Sequence, residues 1–243
     1  MISERYTLEN LKNCISRVKN SVYRKVCDLD IEIYKSKEPL AFRNRMHGEY
    51  QKVKCADKWG DLFDCAWFHF TASLGGGVKG KKVVYVIDIN GEGLIVDDEG
   101  CPVRGITNIN SVFDRAKGNP GKRIVPFLEE AEGGEKVDFW MDAGCNDLTG
   151  NLQENGTIKE AYIATCNETA RKLYYDMQVL MMQAENTAEG DPIRYEIISV
   201  LSKCRKLLTK YNNEEFESCL KITGERLSVT GGDNPALSLK AQF

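Results

Sequence analysis

Glycine is distributed very unevenly along this chain, and that distribution is the strongest constraint on its fold. Sixteen of the 21 glycines fall between Gly60 and Gly156. Glycine is unfavourable inside helices and common in turns. The middle of the chain is therefore predicted to be a turn-rich sheet region, and the glycine-poor last third is predicted to be helical.

The glycine-rich region also carries the residue patterns of short strands. Segments rich in β-branched and aromatic residues, separated by Gly, Asn or Asp clusters, predict strands at 31–34, 51–54, 66–74, 83–89, 94–97, 123–128, 137–142 and 161–166. No helical pattern lies between the last six of these segments, which favours an antiparallel sandwich or barrel over a βαβ fold. Asn90-Gly91 predicts a hairpin turn between two of the strands, since both residues tolerate positive φ.

Apolar residues at helical spacing occur on both sides of this region. One stripe comprises Leu8, Leu11, Ile15, Val18, Val22 and Val26, and another comprises Ala170, Leu173, Met177, Leu180 and Ala184. Asp191-Pro192 predicts the start of a next helix, which carries Ile197, Leu201 and Cys204, and Asn213 is predicted to cap a third. We therefore expect an N-terminal helix over 1–27, a β-sandwich over 28–166, a helical linker over 167–230 and a tail over 231–243.

Composition restricts the possible functions. The net charge of −3 disfavours a nucleic-acid binder, and no segment approaches the ~20 apolar residues of a membrane helix. The chain has nine cysteines, an odd number, and no Cys-x-x-Cys motif. This pattern indicates reduced thiols rather than a disulfide framework. Because the first residues also lack the apolar run of a signal peptide, we expect a cytoplasmic protein without nucleic-acid or membrane partners.

Two segments resemble ligand-binding loops but stand in the wrong context. Residues 75–82 match most of a P-loop, yet a strand pattern follows where a helix should begin. Asp88, Asn90, Glu92 and Glu99 are spaced as in a calcium loop, but their flanks are strand-like. We interpret both segments as turns between strands, and binding of Ca²⁺ in another geometry stays open.

The residues give no sign of a catalytic or metal centre. Only two histidines are present, His47 and His69, and neither has a Cys or His partner at the spacing of zinc ligands. Glycosidases use a carboxylate pair, but the sequence cannot show which of its acids face each other, among them Asp61, Asp64, Asp138, Asp142 and Asp147. We expect solvated surface acids, no catalytic residue and no metal ligand.

Aromatic residues in the strand region are the remaining candidates for binding a substrate. A flat ring can pack against the C–H groups of a sugar, and four residues qualify by position: Trp59, Trp67, Trp140 and Tyr85. Packing between the two sheets is the competing interpretation for each of them.

Several segments, in order along the chain, resemble the region that precedes the catalytic barrel in glycoside hydrolase family 38 α-mannosidases of the cytosolic and bacterial branch. The matching residues are Trp59-Gly60, Trp67-Phe68-His69-Phe70, Asp88, Gly91-Glu92-Gly93-Leu94, Asp97-Asp98-Glu99-Gly100, Pro102-Val103-Arg104-Gly105-Ile106-Thr107, Ala143-Gly144-Cys145-Asn146 with Gly150, and Lys172-Leu173-Tyr174-Tyr175-Asp176. They lie within about residues 55–205, and the flanking segments match only in helical character.

This resemblance implies a galactose-binding-like jelly-roll sandwich followed by helices. In that family these parts precede a zinc-dependent barrel, which opens with a Gly-His-x-His-x-Asp-type motif and hydrolyses terminal α-mannosides. Neither His47 nor His69 stands in such a motif, so no catalytic or zinc residue of the family can be placed on this chain. The resemblance implies that the tail leads towards the barrel, that zinc belongs to the barrel, and that the intact protein is a homo-oligomer.

The sequence thus predicts an accessory part of an α-mannosidase that is inactive alone and whose partner is its own catalytic domain. Two alternatives remain open. The chain could be a stand-alone carbohydrate-binding module for mannose-containing glycans, with the four aromatic residues as its platform. It could instead be a structural domain whose two helices, over 168–185 and 192–210, bind a partner.

Overall fold

A computed structural model describes residues 2–107, 122–146 and 155–229, with side chains from Thr7 to Ser228 within these ranges. The described helices are α1 Ile2–Asn20, α2 Glu168–Asn186, α3 Pro192–Leu207 and α4 Asn213–Val229. The described strands are β1 Tyr23–Asp28, β2 Asp30–Ser36, β3 Gln51–Val53, β4 Lys58–Asp61, β5 Cys65–Ser73, β6 Lys82–Asp88, β7 Glu92–Val96, β8 Pro102–Ile106, β9 Ile124–Leu128, β10 Lys136–Gly144, β11 Asn155–Thr157 and β12 Glu160–Cys166. Short 3₁₀ turns occur at Phe42–His47 and Gly76–Val78. The predicted tail over 231–243 lies outside the described residues.

The chain divides into two compact units. The helical unit comprises the described residues of Met1–Arg24 and Cys166–Phe243, and the β unit comprises those of Lys25–Thr165. In the helical unit, α2 packs against α1, α3 and α4. None of the described helices is both long and apolar enough to cross a membrane.

The β unit contains two main sheets. One has six strands in the order β3-β2-β5-β10-β7-β8, and the other has four in the order β1-β12-β6-β9. At the centre of the six-stranded sheet, β10 runs antiparallel to β5 from Lys136 opposite Ser73 to Gly144 opposite Cys65. A small third sheet pairs β11 with β4.

The core lies between the two main sheets, because alternate residues of their strands point inward. Phe68 and Phe70 of β5 and Met141 of β10 meet Ile87 of β6 and Ile163 of β12 in one buried apolar cluster. This arrangement confirms the predicted antiparallel sandwich.

Three local predictions need correction. The N-terminal helix ends at Asn20, so Val26 lies on strand β1 instead of the helical stripe that spacing predicted. The apolar spacing near Val26 also fits a helix, but pairing with a neighbouring strand decides the structure of these residues. Asn90 has φ of 51° but forms no hairpin, because β6 and β7 belong to different sheets. The cap of α4 is Asn212 rather than Asn213, since the Oδ1 atom of Asn212 accepts a hydrogen bond from the Glu215 N–H.

The apolar stripes predicted for α2 and α3 lie on these helices as expected. Asp191 caps α3 through a hydrogen bond from the Ile193 N–H, and Pro192 follows in the first turn. The predicted apolar residues of α2 are buried, and so are Ile197, Leu201 and Cys204 of α3. These stripe residues lie in the interior of the helical unit. Other apolar residues of the same two helices are exposed, namely Met182, Ile193, Tyr195 and Leu207. The hypothesis that the helices bind a partner therefore stays a prediction.

Candidate functional site

Three of the four predicted sugar-binding aromatics lie inside the β unit. Trp59 is fully buried, its Nε1–H donates to the Ile89 carbonyl at 2.6 Å, and Phe68 packs edge-on against its ring. Tyr85 faces the core and stacks on Phe127 and Phe139, with ring centroids 4.7 and 4.6 Å away.

Trp67 is buried on the other face of its sheet. Its Nε1–H donates to the Leu40 carbonyl at 3.0 Å, and the ring of Phe42 packs edge-on against it. The segment after β2 therefore lies over Trp67. Because Trp59, Tyr85 and Trp67 have almost no exposed surface, none of them offers a ring face to a sugar, and their role is packing.

Trp140 is the partly exposed member of the four. Its indole stacks on the His69 ring, with centroids 4.1 Å apart and an interplanar angle of 7°. The Arg45 guanidinium lies 4.9 Å from the indole centroid, and Tyr50 contacts the ring edge-on. Trp140 is thus held in an aromatic and cationic cluster, and the structure does not gather the four aromatics into one platform.

The two histidines do not form a metal centre. His69 hydrogen-bonds through Nε2 to Oδ1 of Asp138 at 2.8 Å, whereas His47 lies in the exposed 3₁₀ turn. Throughout the described ranges, no group of three or more His, Cys, Asp or Glu side chains is arranged to hold a metal ion. The family resemblance implies zinc only in the barrel, and its presence there stays a prediction.

The calcium-loop pattern is also dispersed in space. Asp88 is buried and its Oδ1 accepts the Asn90 N–H at 2.9 Å, while the Asn90 side chain donates to the Asn155 carbonyl. Glu92, two residues further on, begins the next strand and accepts a long contact of 3.4 Å from Asn146 Nδ2. The carboxylates of Asp88 and Glu92 are thus engaged in separate local interactions.

An open concavity with polar side chains lies on the outer face of the six-stranded sheet. It has a volume of about 400 Å³ and runs across β5, β10 and β7. Its polar lining residues are Asp142, Glu92 and Asn146, and its apolar ones include Leu94 and Pro39. We call this concavity the outer pocket and take it as the candidate functional site.

Asp142 is the central charged group of the outer pocket. Removal from water raises the pKa of its carboxyl group, and the Ala143 N–H opposes this effect only in part. Burial and the nearby Asp142 charge also raise the pKa of the Cys65 thiol. The sequence predicted Asp142 to be a solvated surface acid. On β10 the more exposed residues Asp138, Trp140 and Asp142 alternate with more buried ones, which indicates an outer face of the sheet. This alternation does not show that the outer face has a concavity.

A second concavity, of about 500 Å³, lies beside Trp59, and its two carboxylates are both paired with lysines. Lys37 pairs with Asp64 at 2.6 Å, and Lys58 pairs with Asp61. Since both carboxylates already have ammonium partners, this concavity leaves fewer groups free for a ligand than the outer pocket does.

Comparison with known proteins identifies the family. The sequence model described as "Alpha-mannosidase, jelly roll domain" matches residues 27–178, more than half of the chain. This chain belongs to that alpha-mannosidase jelly roll family. The match confirms the predicted jelly-roll fold and the predicted relation to α-mannosidases.

One curated relative is similar along most of the chain. Alpha-mannosidase G of Dictyostelium discoideum is 20% identical over 236 residues, which covers 89% of this chain and 21% of that protein. The chain therefore spans about a fifth of the length of this relative.

Two solved structures show weak similarity. Both contain the CBM51-2 and INT domains of Clostridium perfringens ZmpB, one of them in complex with GlcNAc. They are 11% and 8% identical, with TM-scores of 0.23 and 0.19. Each covers 85% of this chain, and the matched parts are 41% and 42% of the solved chains. Neither similarity contributes to the fold assignment.

Proposed function

We propose that this chain is a non-catalytic, accessory part of a family 38 α-mannosidase. In the whole protein it packs on the catalytic barrel, shapes the entrance to the active site and supports a homo-oligomer. Hydrolysis of terminal α-mannosides and the zinc ion belong to that barrel, and the protein works in the cytoplasm.

The family match over 27–178 is the observation that carries this proposal. The matched range includes the β unit and extends into α2, so it crosses from one compact unit into the other. The alignment with Alpha-mannosidase G occupies only 21% of that protein, which leaves most of the relative for other parts.

A turnover assay tests the catalytic half of the proposal. The purified 243-residue chain is incubated with an aryl α-mannoside and zinc, beside an active α-mannosidase as the control. We expect no release of the aryl group above the buffer rate. Clear turnover that disappears on heat denaturation would show that the chain is itself an enzyme.

A deletion tests the supporting half. The polypeptide encoded by the complete reading frame is compared with a version that lacks residues 27–178, by mannoside hydrolysis and by light scattering. We expect the deletion to lower kcat/KM or to change the oligomeric state. Unchanged kinetics together with an unchanged mass would contradict a supporting role.

A further inference from the structure

Two buried cysteines face each other where α3 packs against α4 in the helical unit. Cys204 of α3 and Cys219 of α4 are fully buried, and no disulfide joins them. The Cys204 Sγ atom lies 3.9 Å from the Cys219 carbonyl oxygen, and the Cys219 Sγ atom lies 3.7 Å from the Cys204 carbonyl oxygen. Each thiol therefore contacts the main chain of the other residue.

This reciprocal contact meets the main geometric condition for a disulfide. Two cysteines can be bridged without backbone movement only when their Cα atoms lie within about 7 Å of each other and their side chains do not point apart. Because each sulfur lies against the backbone of the other residue, α3 and α4 approach each other closely at this pair. The two thiols are also hydrogen-bonded to each other, so their sulfur atoms face one another.

The hydrogen bond between the two thiols makes them chemically unequal. It lowers the pKa of the Cys219 thiol, although burial opposes this effect, and it raises the pKa of the Cys204 thiol together with burial. The thiolate is the reactive form of a cysteine, so Cys219 is the member of the pair that reacts first with an electrophile.

Cys14 of α1 is a third buried thiol in the helical unit. Its Sγ atom accepts a hydrogen bond from the Tyr211 hydroxyl group at 3.7 Å, which engages it outside the pair. Across the described part of the chain, no three His, Cys, Asp or Glu side chains are arranged to hold a metal ion. The chemistry that the pair supports is therefore bond formation between its own two sulfur atoms.

We propose that Cys204 and Cys219 form a redox-sensitive pair, which hydrogen peroxide oxidises to a disulfide between α3 and α4. The Cys219 thiolate attacks one peroxide oxygen, the O–O bond breaks, and hydroxide leaves as water with the proton that the thiol had lost. Cys219 is then a sulfenic acid. The Cys204 sulfur attacks the Cys219 sulfur, the S–O bond breaks, and hydroxide leaves with the Cys204 proton as a second water. This goes beyond the supporting role, which requires no redox chemistry.

The burial of both thiols sets the conditions and the effect of this reaction. Neither side chain has exposed surface, so the peroxide reaches them only when the helical unit opens locally. The disulfide closes a loop of about 15 residues, which stabilises the helical unit by restricting its unfolded state. Reduction by a dithiol restores the two thiols by thiol–disulfide exchange, so the modification is reversible.

The test is peptide mapping of the 243-residue chain after exposure to excess hydrogen peroxide. All variants carry Cys55→Ser and Cys101→Ser, because these two exposed thiols could link separate molecules. After alkylation of the remaining thiols, trypsin places Cys204 and Cys219 in different peptides. We expect these two peptides to be linked with the loss of two hydrogen atoms, and we expect dithiothreitol to separate them. Sulfoxide at Met46, which is 62% exposed, shows that the peroxide has acted.

A matched pair of variants makes the result specific. Cys204→Ala should abolish the link, whereas Cys14→Ala, at the other buried thiol, should retain it. In a thermal melt followed by far-UV circular dichroism, oxidation should raise the melting temperature of the helical unit in Cys14→Ala by at least about 5 °C relative to oxidised Cys204→Ala. Oxidised Cys204→Ala carries the same methionine sulfoxides, so the comparison isolates the disulfide.

Three outcomes would overturn the proposal. In the first, Met46 is oxidised but the peptides of Cys204 and Cys219 are not linked. In the second, Cys219 is linked to Cys14 instead. In the third, oxidised Cys14→Ala melts no higher than oxidised Cys204→Ala. None of these outcomes bears on mannoside turnover, so the supporting role is tested separately.

Discussion

Trp59 offers the sharpest test of whether an aromatic residue in this sandwich serves packing or ligand binding. Its Nε1–H donates to the Ile89 carbonyl at 2.6 Å, and the backbone approaches the indole so closely that a Cβ atom added at Gly156 would lie 2.4 Å from it. Trp59→Phe removes the N–H and part of the ring but keeps an aromatic residue. Loss of a partner for a buried carbonyl costs about 1–3 kcal/mol, and the lost ring volume adds to it.

We expect Trp59→Phe to lower the free energy of unfolding of the β unit by about 2–4 kcal/mol. A domain with about 5–15 kcal/mol of stability can absorb this loss and remain folded. All three tryptophans lie in the β unit, so urea unfolding followed by tryptophan fluorescence reports on that unit, and Trp67 and Trp140 remain as probes. Phe63→Ala, at an aromatic residue that is 64% exposed, is the control and should change stability by less than about 0.5 kcal/mol.

A second substitution tests the geometry itself. Gly156→Ala should cost about 1–3 kcal/mol, because the new methyl group overlaps the indole. Trp59→Phe removes the outer part of the indole and so relieves part of this overlap. The combined variant should therefore be more stable than the sum of the single effects predicts, by about 1 kcal/mol. If Trp59→Phe costs less than about 1 kcal/mol and the two effects simply add, the close packing of Trp59 is refuted.

Three further predictions concern single side chains. Asp191→Ala should lower stability by about 1 kcal/mol in a thermal melt of the helical unit, because the Ile193 N–H loses its cap; an unchanged melt would contradict the capping role. Phe63 has φ of +67°, so Phe63→Gly should raise the urea midpoint of the β unit, by up to about 1 kcal/mol in stability, whereas a lower midpoint would show that no strain is released. Burial raises the pKa of Asp88, so its carboxyl group holds its proton more tightly in the folded chain, and stability falls as pH rises through the folded pKa. Asp88→Asn keeps the acceptor for the Asn90 N–H and should therefore gain stability relative to the unchanged chain at pH 7 but not at pH 3; an equal difference at both pH values would contradict this.

The sequence predicted the strands and helices well where local periodicity and local chemistry suffice. The alternation in β5 and β10 and the stripe from Ala170 to Ala184 each depend on residues within one element. The cap at Asp191 depends on a contact two residues away. The strand β1 was predicted as a helix end, because its apolar spacing is compatible with both periods and only pairing in a sheet decides between them.

The candidate site was much harder to predict. Trp67 alternates correctly for an outer face, yet it is buried, because Leu40 and Phe42 of a segment without a strand pattern lie over it. Asp142 and Glu92 are about fifty residues apart in the chain and meet through the register of β10 with β7. Register between strands depends on packing across the sheet, which no single segment encodes.

The sequence by itself determined that this chain forms a turn-rich antiparallel sandwich with helices on both sides, because glycine placement and apolar spacing act over a few residues. Tertiary structure alone decided that β6 and β7 enter different sheets, that three of the aromatic candidates are buried, and that Glu92, Asp142 and Gly144 line one concavity. These features depend on which distant strands pair and on what covers them. They are consequences of packing between segments rather than of any one segment.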